Sequence, residues 1–237
     1  MLHEETELQI GALLFEGLDQ IDLTGPFEVL SRLPNSTYRI YGKDTGRVRD
    51  ARGLRLTPDA TLADAPQLDV LHVPGGPGQE DVMDDDVVLE WVRRQAQNAR
   101  VVLSVCTGAL ICGAAGLLKN RRATTHWAAF HLLPYFGAIP VNQRVVTDGN
   151  MVIAAGVTAG IDGALRVASE LYGDEVTQEI QLSLQYAPEP PFDSGTPERA
   201  PALVLATARR KFEPITAHRT ATARRVAMRL GVVFSVD

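Results

Sequence analysis

The sequence predicts an α/β fold: a mostly parallel sheet covered by helices on both faces, with a nucleophile elbow at Cys106. Two observations predict the layers. Strand-like and helix-like segments alternate along the chain, and residues 101–115 pass from an uncharged, β-branched-rich run straight into a small-residue helical one, as a strand buried on both faces does before its crossover helix. A third observation, 45% hydrophobic and 22% charged residues in a chain of 237, is that of an ordinary globular protein. At that length the core needs neither disulfide nor metal to be stable. Two cysteines, Cys106 and Cys112, also exclude a disulfide framework and a four-cysteine zinc site.

Taken in order, residues 8–15 (LQIGALLF) read as a buried first strand and 26–33 as the body of the following helix. Residues 38–41 form a short second strand. Residues 69–73 lead into Pro74-Gly75-Gly76-Pro77-Gly78, a strand ending in a glycine-rich loop. Residues 87–99 are helical, with Leu89, Val92 and Ala96 on one buried face. The strand 101–105 and helix 107–115 follow. Residues 144–146 and 151–154 pair as a hairpin around Thr147-Asp148-Gly149-Asn150, since Asp-Gly and Gly-Asn accept positive φ. Residues 160–172 are the next helix. The chain has no internal repeat and no low-complexity tract.

Eighteen residues, 101–118, carry no charge between Arg100 and Lys119, close to the length of a membrane span. The change from strand-like to helix-like halfway argues for buried soluble elements instead. The N-terminal MLHEETE is acidic and has no apolar run, so no secretory signal is expected and the cytoplasm is the expected compartment.

One α/β domain is expected over residues 7–187, and a proline-rich segment with a basic helical tail over 188–237, packed on the same domain or on a dimer partner. Pro188, Pro190, Pro191, Pro197 and Pro201 mark the segment. From Arg199 to Arg229 the chain carries eight Arg or Lys against Glu213 alone, a net +7 that leaves −13 on the remainder. Nucleic-acid binding is the sharper reading of that tail. Packing of Ile215, Val226, Met228 and Leu230 beneath a solvated charged face is the preferred one. Aromatic interleaving is absent, and the residues after the proline segment are too few for a paired helix-turn-helix module. No nucleic-acid or membrane partner is expected.

Cys106 stands where strand meets helix, so its side chain projects above the carboxyl edge of the sheet, where open α/β sheets bind ligands. Gly108 permits the close helix–strand approach that such an elbow needs. The helix N-terminus is expected to lower the thiol pKa and to offer N–H groups to a developing anion. Burial as a small apolar residue is the alternative role. Cys112 lies six residues on, about 240° around the helix, and is expected to fill core.

Partners for a thiol come from the loop after the first strand. There Asp22, between Ile21 and Leu23, either caps the helix that follows or, desolvated beside the thiol, carries a proton near neutrality. Gly75 and Gly76 can supply backbone donors; without a following GK[ST] they are no phosphate loop. His126, next to Trp127, either acts as a base or lines the pocket. His126 and His131 are about 140° apart on a helix and make a poor metal pair, and no metal site is expected. His72, within a strand, reads as structural.

Five ordered segments, PGG (74–76), SVCTGA (104–109), AAGLL (114–118), ATTHW (123–127) and TAGID (158–162), resemble the PfpI-type branch of the class I glutamine-amidotransferase-like superfamily. IDLTGP (21–26) and YAPEPPF (186–192) point more narrowly to its isonitrile-hydrating members. The similarity spans most of residues 8–201. It implies a flavodoxin-like three-layer sandwich that dimerises, with Cys106 as nucleophile, Asp22 as acid/base and Thr107 lining the site. The reaction implied is hydration of an isonitrile to the N-substituted formamide through a Cys106 thioimidate, by a route that needs no cofactor. An apolar substrate suits walls such as Ile21, Trp127 and Val157.

Departures from neighbouring families matter. A glutamine amidotransferase carries glycine two before the nucleophile and a downstream His-x-Glu pair; this chain has Ser104, and His126 is followed by Trp127-Ala128. Proteases, glyoxalases and deglycases of the branch usually carry a glutamate in the first loop and a histidine beside the cysteine, where this chain has Asp22 and Thr107. Family regulators append a full DNA-binding domain. A glyoxalase or deglycase acting on small aldehydes, and a non-catalytic cysteine redox sensor, are the alternative functions.

Overall fold

A computed structural model describes residues 7–233. Residues 1–6, most of the acidic segment expected not to be a signal, and the tail residues 234–237 lie outside the described residues. Along the chain run β1 (Leu8–Leu14), α1 (Gln20–Leu30), β2 (Ser36–Gly42), β3 (Ala60–Thr61), β4 (Val70–Val73), α2 (Gln79–Val82), α3 (Asp86–Asn98), β5 (Val101–Val105) and α4 (Gly108–Ala114). A 3-10 stretch (Trp127–Phe136), β6 (Val145–Asp148), β7 (Met151–Ala154), α5 (Ala159–Tyr172), α6 (Asp174–Ser183) and α7 (Ala202–Leu230) follow. Two small two-stranded ribbons lie outside the main sheet.

The main sheet has the order β6-β7-β5-β4-β1-β2-β3, parallel throughout except where β6 returns antiparallel on β7 at one edge. Two cores flank it, and β5 explains the long uncharged run. Val102 packs into the core under α3 and α4, whereas Val101, Leu103 and Val105 pack into the core under α1 and α5. Alternation of period two is present, but both faces are buried, Ser104 included. Topology then places the site: β1, β4 and β5 are parallel neighbours, so the loops that leave them open at one edge.

Helix α1 begins earlier than the sequence suggests. Proline at position 26 reads as a helix start, because proline is favoured in the first turn. The helix instead starts at Gln20, capped by Asp19, whose carboxylate accepts from the Ile21 amide at 3.2 Å. Asp22 therefore lies inside the first turn, and the capping role open to it belongs to Asp19.

Helix α7 runs as one element. Its C-terminal half buries Ala223, Val226 and Ala227 in the core, and its cations meet the acidic α2–α3 segment. Arg225 pairs with Asp84 at 2.6 Å, Thr222 donates to Glu80 at 3.2 Å, and Arg229 donates to the Met83 carbonyl at 3.1 Å. Leu230 packs against the core and Ile215 is half-buried, but Met228, expected inside, is 74% exposed. Among the described residues no helix is long and apolar enough to cross a membrane.

Candidate active site

Cys106 occupies the turn between β5 and α4 with φ +57°, a left-handed conformation that costs a non-glycine residue about 1–2 kcal/mol. Surrounding bonds hold it there. Its amide donates to Ala154 at 2.9 Å, and its carbonyl accepts from the Thr125 hydroxyl at 2.7 Å. The approach of α4 to β4 is so close that a Cβ on Gly108 would lie 2.1 Å from the Val73 carbonyl oxygen. The position therefore demands glycine.

The glycine loop after β4 fastens the other site residues to this elbow. The Asp19 amide donates to the Gly75 carbonyl at 2.9 Å, while the Gly75 amide donates to Asp22 Oδ2 at 3.1 Å. The Gly76 amide donates to Thr107 Oγ1 at 3.0 Å, and the Gly76 carbonyl lies 3.2 Å from the same hydroxyl. A Cβ on Gly76 would lie 2.2 Å from the Asp19 amide nitrogen. Both glycine amides, expected to be free for a developing anion, are thus committed, one to Asp22 and one to Thr107. Their work is to position the loop.

Asp22 is fully buried. Its side chain interacts with that of Cys106, while its Oδ1 has no well-aligned hydrogen-bond partner. Burial, reinforced by the charge of Asp19, raises the Asp22 carboxyl well above the usual carboxylate range, against the opposing pull of Cys106 and the Gly75 amide. Burial first, and the Asp22 charge second, also raise the Cys106 thiol, against the Thr107 amide and Arg219. The expected net lowering by the helix terminus does not hold. Desolvation outweighs it, and α4 is a short helix. Two adjacent buried acids resist carrying two negative charges, so the pair behaves as a unit that keeps one proton.

His72 does more than fill its strand. Its Nε2 lies 3.0 Å from the Asp22 backbone carbonyl and its Nδ1 lies 2.6 Å from the Tyr38 hydroxyl. A carbonyl only accepts, so Nε2 carries the proton and Nδ1 accepts from tyrosine. Burial lowers the His72 pKa to about 3, which keeps the ring neutral in this relay. Cys112 is fully buried in the core, its thiol pushed up to about 12 by burial.

A cavity of about 450 Å³ adjoins the elbow, lined by Thr125, His126, Trp127, Gly156 and Val157 among others. A neighbouring one of about 720 Å³ shares Trp127 and is walled by Phe212 of α7. Cys106, 5% exposed, and Asp22 line neither; the link to the first is Thr125, whose hydroxyl donates to the Cys106 carbonyl. His126, Trp127 and Phe212 form an aromatic cluster with ring centroids 5.3–5.4 Å apart. His126 accepts from the Ala128 amide through Nδ1 at 3.3 Å, and burial, with Arg219, lowers its pKa to about 4. That chemistry makes it a wall rather than a base. Ile21, half-buried on α1, lines neither cavity.

Arg219 was hidden in the basic tail. It is 3% exposed, its Nη2 donates to the Gly76 carbonyl at 3.3 Å, and its buried Nε has no hydrogen-bond partner. The available signal was phase. Arg219 falls three and four residues before Thr222 and Ala223 and seven before Val226, on the helix face that is buried.

The model of the DJ-1/PfpI family matches residues 9–170. The chain is 51% identical over 225 residues to the isonitrile hydratase of Pseudomonas putida, covering 95% of this chain and 99% of that protein. Among solved structures, a THiJ/PfpI family protein from Pseudomonas syringae superposes with a TM-score of 0.90 at 37% identity, covering 92% of this chain and 91% of that one. Drosophila melanogaster DJ-1beta, at 22% identity and a TM-score of 0.67 over 77% of this chain and all of that one, shares the fold.

Proposed function

This chain belongs to the DJ-1/PfpI family, and we propose from that premise that it is an isonitrile hydratase, converting R–N≡C to the N-substituted formamide. The observation that carries the reading is the near full-length identity to the Pseudomonas putida enzyme, joined here to a buried thiol and carboxyl that share one enclosure.

In the reaction proposed, Asp22 takes the thiol proton and the Cys106 sulfur attacks the terminal carbon of the isonitrile. Asp22 returns that proton to the same carbon, so one C–S and one C–H bond form and a thioimidate results. Asp22, ionised again, removes a proton from water as the water oxygen attacks this carbon, and passes that proton to the substrate nitrogen. Collapse breaks the C–S bond, the hydroxyl proton returns to the sulfur, and the formamide leaves. One water is consumed.

The raised Asp22 pKa suits a group that must hold and release a proton near neutrality. The aromatic cluster suits an apolar R group, and the committed glycine loop keeps acid and nucleophile in register. We also infer a homodimer in the cytoplasm. Exposed apolar side chains at Leu182, Phe192 and Leu203 are consistent with a covered surface in such a dimer.

Incubation with cyclohexyl isonitrile, followed by chromatographic detection of N-cyclohexylformamide, tests the activity. Formamide formation is expected. Absence of turnover across alkyl, cyclohexyl and aryl isonitriles, with lactate produced from methylglyoxal, overturns the reading in favour of a glyoxalase.

A further inference from the structure

Buried arginines with a single neutral acceptor are uncommon, because a guanidinium taken out of water needs a counter-charge or a full set of acceptors. Arg219 has one backbone acceptor, the Gly76 carbonyl, and a buried Nε without a partner. Cys106 and Glu80 bear on its charge, and it bears in turn on His126. That carbonyl lies 3.2 Å from the Thr107 hydroxyl, and the preceding amide holds Asp22. One two-residue loop therefore ties Arg219, Thr107 and Asp22 together around the nucleophile. A buried positive charge at this loop favours the anionic form of the sulfur, against burial and the Asp22 charge.

We propose that Arg219, delivered by the C-terminal helix, is a positioning residue of the active site: it braces the Gly76 carbonyl beneath the elbow and places a buried positive charge that eases the passage of the Cys106 proton to Asp22. The basic tail then has a catalytic reason to dock. Helix α7 brings this charge to the site, and Glu80 of α2, held by Thr222, competes for the same guanidinium and limits its pull. The titratable and charged groups bearing on the sulfur are Asp22 with Asp19 beside it on α1, Arg219 on α7 with Glu80 of α2, and His126 before the 3-10 stretch, which is neutral above about pH 4. The inference deepens the hydratase reading, on which the role of Cys106 rests.

The test titrates the thiol directly in the full chain. Ultraviolet thiolate absorbance and the rate of iodoacetamide alkylation are followed against pH, with Cys106→Ser as the blank. The wild-type midpoint is expected above the ordinary thiol range, as burial requires. In Arg219→Met its midpoint moves up by about one pH unit or more, alkylation at pH 7 falls about tenfold, and Arg219→Lys restores most of the loss. An unchanged profile in folded Arg219→Met overturns the proposal. Should Arg219→Met fail to fold, Glu80→Gln decides. A midpoint shifted down by the freed guanidinium supports the role, and an unmoved one overturns it. None of these readouts uses an isonitrile, so failure of this role and failure of the hydratase reading are separate results.

Discussion

Asp22 offers its backbone carbonyl to His72 Nε2 at 3.0 Å, and Pro26, four residues further along α1, leaves that carbonyl free to accept. In a regular helix the amide of residue 26 takes the carbonyl of residue 22, but proline has no amide hydrogen. The histidine fills the vacancy, and its other nitrogen is held by Tyr38. A proline that ought to weaken the helix thus lets a strand residue pin the backbone of Asp22, the acid/base group proposed.

Acid should loosen this relay. The folded His72 pKa lies near 3, below the ordinary 6.5, so the unfolded chain binds more protons across that interval. Stability contributed by neutral His72 is complete above pH 6.5 and is lost progressively as the pH falls towards about 3. Urea unfolding at a series of pH values should show that slope, with a smaller share from His126 ending near pH 4. In His72→Gln the slope should flatten, and kcat/KM should fall several-fold as Asp22 loses its backbone tether. A wild-type profile in the variant rules the relay out.

Cys106→Ala and Asp22→Asn should each reduce hydration by about a thousandfold or more while circular dichroism stays native, since one removes the nucleophile and the other the proton carrier. Cys112→Ala is the control. It should keep full activity and lose about 1 kcal/mol of stability from the buried sulfur removed.

Thr107→Val preserves shape and deletes the hydroxyl. The Gly76 amide would then be buried without its acceptor, at about 1–3 kcal/mol, and the loop that holds Asp22 would loosen. Thermal denaturation should show the loss, and kcat should fall more than KM rises. A variant with unchanged kcat would mean that the loop stays in register without its clasp.

Phe212→Ala should act on substrate size. Removing the α7 face of the aromatic cluster should raise KM for cyclohexyl isonitrile several-fold, leave kcat nearly unchanged, and have little effect on a small alkyl isonitrile. Equal effects on both substrates would place the R group elsewhere.

Much of this was legible residue by residue. Strand–helix alternation announced the layered sheet, and the break in character within residues 101–118 located the elbow, because both are short-range patterns of side-chain size and polarity. The start of α1 was not legible. Pro26 mimics a helix start, and only the histidine arriving from β4 makes an interior proline acceptable. The direction of the Cys106 shift was missed as well, since helix proximity can be read locally while desolvation depends on everything packed above the turn. Gly75 and Gly76 were recognised as site residues, yet their amides turned out to be occupied by Asp22 and Thr107.

The sequence by itself determined the layered α/β domain, the cysteine at the elbow and Asp22 as its candidate partner, because local periodicity, turn chemistry and ordered motifs encode them. Tertiary structure alone decided that Arg219, one of eight basic residues in an apparently solvated tail, reaches the glycine loop beside Cys106. Charge count and spacing describe a helix face, but what that face meets is set by how α7 docks. That docking follows from the burial of Ala223, Val226 and Ala227 against elements far away in the chain.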